Sequence, residues 1–498
     1  MLTYNTIQDN IMKHFSLLVL SLLLSVAGMA QDYSQYYTDL PVELKRVQPV
    51  FIPERTVTIT DFGGIGDGKT LNTDAIAKAI SNLSEQGGGH LVFPKGTWKT
   101  GPITLKSMID IHLEKGATLL FSEDKSLYLT KGSNKCAPCI KGSKVQNVTI
   151  TGSGTIDGQG IFWRPVKKVK ASSKEWKEVL AMGGVVRDAN DEKKAMWFPF
   201  DMNNGIPNIA ETPEKQEAMR SHLINITDAV NIMIQGVTLK NSPKFHFVPT
   251  RAKNVIIDGI TVECPWNAQN GDALDLGNTQ TALIVNSTIS CGDDGICMKG
   301  GVAEAGVKAG PNSDILIQNN KVLRAHGGFV IGSEFSGGME KIVVRKCTFE
   351  GTDVGLRFKS APGRGGTCKH IYCMDITMKN IEKEAIIFET GYADKGAVVS
   401  ATANDDKTAF FPDFCNVAIY DVTVDGAKTA FKIQGLPSHP VHHIYLDNVM
   451  MKNCDHGMEF KYAENIQMTS TLVSSKKQNI IDPESCKAIM LNNTAVVQ

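Results

Sequence analysis

Short segments of alternating apolar and polar residues recur along this chain. They begin at Asn147 (NVTITGSGTIDG), Asn231 (NIMIQGVTLKN), Asn254 (NVIIDGITVE), Asp314 (DILIQNNKVL), Lys341 (KIVVRKCTFE), His370 (HIYCMDITMKN), Asn416 (NVAIYDVTVDG) and His443 (HIYLDNVMMKN). A period of two is the strand period, because successive side chains point to opposite faces. Gly, Asn or Asp breaks these segments near their middles, where a turn would form. A second strand family sits between them: ALDLG from Ala273, GICMK from Gly295, GFVIG from Gly328, GLRFK from Gly355, AIIFE from Ala385, AFKIQ from Ala430 and GMEFK from Gly457. In each, the second and fourth positions are large and apolar. Two strand families alternating at a repeat of roughly 22 to 46 residues predict stacked coils, each burying its inner face on its neighbours. The expected fold is all-β: a single-domain, right-handed parallel β-helix.

Three stretches depart from the repeat. Ile161 to Arg220 is richer in Lys, Glu, Met and Trp and holds helical runs (SSKEWKEVLAMGG, TPEKQEAMR). It reads as an insertion, about 161–220, forming a wall or lid over one face. Its Trp163, Trp176 and Trp197 are open to two readings, stacking on a sugar ring or packing the insertion. Gly63 to Thr70 (GGIGDGKT) matches a phosphate-binding loop pattern. Its helix begins later, with a cap near Asn72 or Thr73, so the glycines read as a tight turn into an N-terminal capping helix. At the N-terminus, Lys13 and His14 precede an apolar run, Phe15 to Val26, and the small residues before Ala30. That is the pattern of a cleaved secretory signal, residues 1–30, and it is short for a membrane span. The repeats then make 31–498 one domain, secreted or periplasmic.

Formal charge balances to zero, which leaves no global basic field for nucleic acid or acidic lipid. Eleven Cys are scattered, with one CxxC at Cys136 and Cys139 and no second pair at zinc-ligand spacing. Most fall at apolar strand positions, and one or two disulfides are compatible with the count.

Equal offsets in stacked coils form columns ~4.8 Å per step. Taking Leu274, Ile296, Phe329 and Leu356 as anchors, Asp272 and Asp294 lie two residues before, and Asp293 and His326 three before. Asp275 and Arg357 lie one after, and Lys299 and Lys359 three after. Four coils thus gather carboxylates at one end of a face and cations at the other. Asp293 and Asp294 would point to opposite faces of a regular strand, but Gly292 allows a bulge that aims both outward. Such a cluster suits glycoside hydrolysis, with one carboxyl protonating the leaving oxygen and another activating water. Asp275 is equally read as fixing a turn or orienting Arg357.

These segments resemble the polygalacturonase family, glycoside hydrolase family 28. WNAQNGDALDLGN is similar to its Asn-Thr-Asp segment, with Gly271 in place of Thr; CGDDGICMKGG to its Gly-Asp-Asp segment; RAHGGFVIGSEFSGG to its Gly-His-Gly segment, with Ala325 for the first Gly; and TDVGLRFKSAPGRGG to its Arg-Ile-Lys segment. The resemblance implies that Asp293 is the general acid, Asp272 and Asp294 activate water with inversion, and His326 orients Asp293. It implies that Arg357 and Lys359 bind galacturonate; Lys299, Asn270 and Asp275 are further candidate substrate-binding residues. Gly271 and the insertion point to the exo-acting bacterial branch. The expected partner is an acidic plant polysaccharide or oligosaccharide such as pectin, met by a monomer needing no cofactor and no resident metal. Two other functions share the fold: a Ca²⁺-dependent polysaccharide lyase, and a non-catalytic carbohydrate-binding solenoid.

Overall fold

A computed structural model describes residues 32–392 and 409–497. The expected signal segment lies outside the described residues. The chain divides into two units, 1–38 and 39–498. The described part of the first holds a 3-10 turn, Ser34–Tyr37, opened by Asp32 accepting from the Ser34 amide.

The second unit is a parallel β-helix. Ile224–Thr227, Val230–Gln235 and Thr238–Lys240 pair in parallel with the next coil's Phe247–Thr250, Lys253–Asp258 and Thr261–Glu263. Each coil therefore supplies three strands to three parallel sheets. The two strand families of the sequence become three because the polar break inside each alternating segment is a full corner. The bends that open the segments also have a common cause. All eight segment starts, from Asn147 to His443, have φ between 51° and 62°. Asn and Asp tolerate this left-handed region better than other side-chain-bearing residues, which accounts for their recurrence there. Asn231 donates to Asn147 Oδ1 at 2.7 Å, and Asn254 to Asn231 Oδ1 at 2.8 Å, so the corner side chains also bond from coil to coil.

Inward positions form one continuous apolar core. In its C-terminal half phenyl rings stack along the axis: Phe358 lies on Phe388 at 4.3 Å and 9°, and Phe388 meets the edges of Phe414 and Phe431 at 6.0 and 6.2 Å. The helix Thr73–Glu85 buries Ile76, Ala79, Ile80 and Leu83, one face at helical spacing, against the strands Gly89–Phe93 and Ile109–Leu113. Its N-cap Asn72 accepts from the Ile65 amide and donates to three carbonyls, while Asp67 takes the Lys69 and Thr70 amides. The amides of Ile65, Lys69 and Thr70 in the phosphate-loop look-alike are thus already engaged.

The insertion is partly helical, as expected, with Ser173–Ala181 and Pro213–Ala218. It also contains an antiparallel sheet of Val166–Lys167, Met196–Met202 and Gly183–Arg187 that the helical runs concealed. Its tryptophans pack it: Trp197 is fully buried with Val166 and Val179, Trp176 lies against that cluster, and Trp163 meets Tyr128 edge-on. All eleven cysteines are free thiols, ten of them buried, so the disulfides allowed by the count do not form. No helix among the described residues is long and apolar enough to cross a membrane.

Replacing Phe388 with Ala removes the ring at the centre of the stack and should cost about 3–5 kcal/mol. Denaturant unfolding of both proteins measures it, and a loss below about 1 kcal/mol would show that the stack does not support the core.

Candidate active site

Four successive coils build the cleft. The strands Leu274–Gly277, Asp294–Lys299, Gly327–Ile331 and Leu356–Lys359 pair Leu274↔Ile296, Ile296↔Phe329 and Phe329↔Leu356. This is the register the equal offsets require. Asp272, Asp293 and Asp294 then line one cleft of about 590 Å³ with Asp275, Lys299, His326, Lys359 and Asn270. Gly292 makes the double aspartate possible: a Cβ there would lie 2.4 Å from the Ala268 carbonyl oxygen, so only Gly lets the chain turn this tightly. A Cβ at Gly271, where the family segment has Thr, would come within 3.0 Å of Ala268 Cβ.

Each carboxyl has a different environment. Asp294 is buried, and Lys359 donates to its Oδ2 at 2.7 Å while Arg357 stands 3.4 Å from Oδ1. Burial pushes its pKa up, but the charges of Lys359, Arg357 and Lys299 outweigh burial and hold it below the ordinary Asp value. Asp293 is opposed by burial too, and the His326 hydrogen bond, Nδ1 to Oδ1 at 2.9 Å, brings its pKa down. Asp272 goes the other way. Its Oδ1 is buried without a hydrogen-bond partner, and burial with the charges of Asp275 and Asp293 raises its pKa well above the usual carboxylate range. Asp275 is raised to about 6 by burial, with Lys299 Nζ 3.6 Å away as the opposing charge. Of the three carboxyls, burial and like charges favour the protonated form most at Asp272, and the neighbouring cations favour the anion most at Asp294. Arg357 and Lys359 rest on Asp294 here; a substrate carboxylate would have to share them.

Asn270 adopts φ 51° at the cleft edge and accepts from the buried Arg220 at 3.1 Å. Three site residues carried no signal as such in the repeats. Lys170, in the insertion, reaches His326 Nε2 and donates to the Gly292 carbonyl at 3.1 Å. Trp266 stands edge-on to the His326 ring at 5.3 Å, with Lys170 and Arg324 over its face. Tyr392 lies beneath Lys359 and Arg357 at 5.1 and 5.6 Å. For Lys170 the available signal was the basic run Lys167-Lys168-Val169-Lys170. Trp266 heads a segment already singled out for its aspartate. Among the described residues, two groups of donors come within metal-binding reach: Asp293, Asp294 and His326 in the cleft, and Asp413, Cys415 and His442 elsewhere. In the second, Asp413 is hydrogen-bonded to His442 Nε2 at 3.0 Å, so its polar atoms satisfy one another.

The sequence profile of "Glycosyl hydrolases family 28" matches residues 207–471, more than half the chain. The chain belongs to this family. As a glycoside hydrolase of family 28 it is 29% identical over 408 residues to "Exo-poly-alpha-D-galacturonosidase" of Dickeya chrysanthemi, covering 78% of this chain and 66% of that one. It is 29% identical over 412 residues to "Probable polygalacturonase" of Vitis vinifera, covering 79% and 74%. Among solved structures, an exopolygalacturonase from Thermotoga maritima superposes with a TM-score of 0.68 at 26% identity, covering 86% of this chain and 93% of the other. The family match contains the four cleft strands but not Lys170.

The raised Asp272 pKa has a consequence for stability. An unfolded Asp ionises above about 3.8, whereas the pKa of Asp272 is raised in the fold, so this residue lowers stability as pH rises from about 3.8 toward its folded pKa. Asp272→Asn should therefore melt at a higher temperature than wild type at about pH 7, with the gap closing at about pH 3. Equal melting at both pH values would mean that Asp272 is ionised in the fold.

Proposed function

We propose that this family 28 hydrolase is a secreted enzyme that cleaves α-linked galacturonic acid from the end of pectic chains, polygalacturonate or rhamnogalacturonan-derived oligosaccharides. The observation that carries the reading is the Asp294 ion pair with Lys359 and Arg357 beside two further carboxyls of different protonation. These cations suit a uronate, whose carboxylate can share them with Asp294 as a neutral sugar cannot.

The same arrangement supplies the steps. A galacturonate carboxylate draws Lys359 and Arg357 partly away from Asp294. The charge on Asp294 is then less neutralised, and its repulsion raises the pKa of adjacent Asp293. Asp293 takes up a proton, with protonated Asp272 nearby as a donor, and delivers it to the glycosidic oxygen. Asp272, now ionised, and Asp294 orient and deprotonate the attacking water. Carboxyl oxygens of Asp293 and Asp294 lie within 4.8 Å of each other. Inverting pairs ordinarily stand ~6.5–9.5 Å apart, so inversion here requires the water to sit toward Asp272 and not between the adjacent pair. The insertion, whose Lys167 and Lys170 line the cleft, is the element that would close one end and favour exo attack. The relatives described as exo-acting support that choice.

Incubation with polygalacturonate and with rhamnogalacturonan oligosaccharides, each with Ca²⁺ and with chelator, separates the possibilities by product chromatography. Saturated galacturonate monomer is the expected product, with the β-anomer formed first. Longer oligomers from the earliest times would refute exo action. An ultraviolet-absorbing unsaturated product would replace hydrolysis with elimination, and no product from either substrate would refute the pectic assignment.

A further inference from the structure

We propose that Lys170, delivered by the insertion, is a positioning residue that holds His326 in the tautomer protonated on Nδ1, so that His326 donates to Asp293. An ammonium group has donors only. Lys170 Nζ meets three electron-rich partners: His326 Nε2, the Gly292 carbonyl oxygen at 3.1 Å and the face of Trp266 at 4.7 Å. If Lys170 donates to Nε2, that nitrogen carries no proton, and the ring hydrogen lies on Nδ1. Nδ1 is 2.9 Å from Asp293 Oδ1. The result is a directed chain, Lys170 to His326 to Asp293, in which each member donates to the next. Without Lys170 the imidazole could place its proton on either nitrogen, and with Nδ1 bare it would face Asp293 lone pair to lone pair.

Lys170 is held firmly enough for this. It closes the turn Lys168–Lys170, which follows the strand Val166–Lys167 paired to Met196 and Trp197. Val166 and Trp197 are both buried in the insertion's own core. The amine is itself half sheltered: burial lowers its pKa from the ordinary lysine value, and the nearby negative charges of Asp293 and Asp353 partly offset that. Gly292 immediately precedes Asp293, so the bond to its carbonyl also fixes the backbone from which the acid projects. The insertion thereby does more than wall the cleft: it determines where a proton sits two bonds away from the reacting oxygen. This rests on Asp293 being the acid in the function proposed above.

Two-bond proton–nitrogen NMR of ¹⁵N-histidine-labelled full-length protein reads the tautomer directly, with His326 assigned by the signal lost in His326→Gln. The wild-type ring should show an unprotonated Nε2. Lys170→Met should move His326 to the Nε2-protonated form or a mixture, while Lys170→Gln, whose neutral amide still donates, should retain the wild-type pattern. On the substrate cleaved by wild type, Lys170→Met should lower kcat about tenfold with KM nearly unchanged, less than the ~10²–10⁴ that proton donation itself contributes. An unchanged His326 tautomer in Lys170→Met overturns the proposal, whatever the rate. A wild type inert on galacturonides whose tautomer still follows Lys170 would refute the function and leave the positioning role standing.

Discussion

Backbone hydrogen bonds between successive coils decide which residue lies above which, from Thr56↔His90 at one end to Val473↔Val496 near the other. A slip of one residue would turn every inward Ile, Val and Phe to solvent and every outward charge into the core. The apolar columns hold the register, the left-handed Asn and Asp corners allow the chain to return to it, and the charged columns inherit it. Nothing in the sequence brings Asp272, Asp294 and Lys359 together except this stacking, since 87 positions separate the first from the last.

Within the cleft the governing quantity is charge balance. Burying a carboxylate without a partner costs several kcal/mol, so each aspartate there is either paired or keeps its proton. Asp294 is paired, Asp272 has its pKa raised, and Asp293 leans on His326. These three states are one solution, since any cation moved toward one carboxyl is removed from another. In the proposed function, a substrate that competes for Lys359 and Arg357 would redistribute protons as it binds, making recognition of a uronate and preparation of the acid a single event.

Much of this was legible in the sequence because a solenoid converts periodicity into position. The offsets from Leu274, Ile296, Phe329 and Leu356 reproduced the observed pairing, and Gly292 explained two adjacent aspartates facing one cleft. The third sheet was not legible as a sheet, because its short strands, such as Thr238–Lys240, read as the tail of a longer alternating segment. The insertion's antiparallel sheet was masked by its helical runs, and Trp163 and Trp197 proved to be core, with Trp176 half-buried. Lys170 and Tyr392 reach the site from outside the repeat, so no column contains them. The protonation states were invisible for a different reason: they depend on burial and on distances of a few ångströms, which spacing along the chain does not encode.

The central claim is that Asp293 transfers a proton to the leaving oxygen without being needed to shape the cleft. Turnover and binding of a galacturonate oligosaccharide by Asp293→Asn, compared with wild type, test it most directly. In this variant kcat should fall by at least ~10² while the dissociation constant changes by less than about threefold, because Asn keeps the shape and loses the transferable proton. A variant that turns over at the wild-type rate would contradict it and move the acid to another carboxyl.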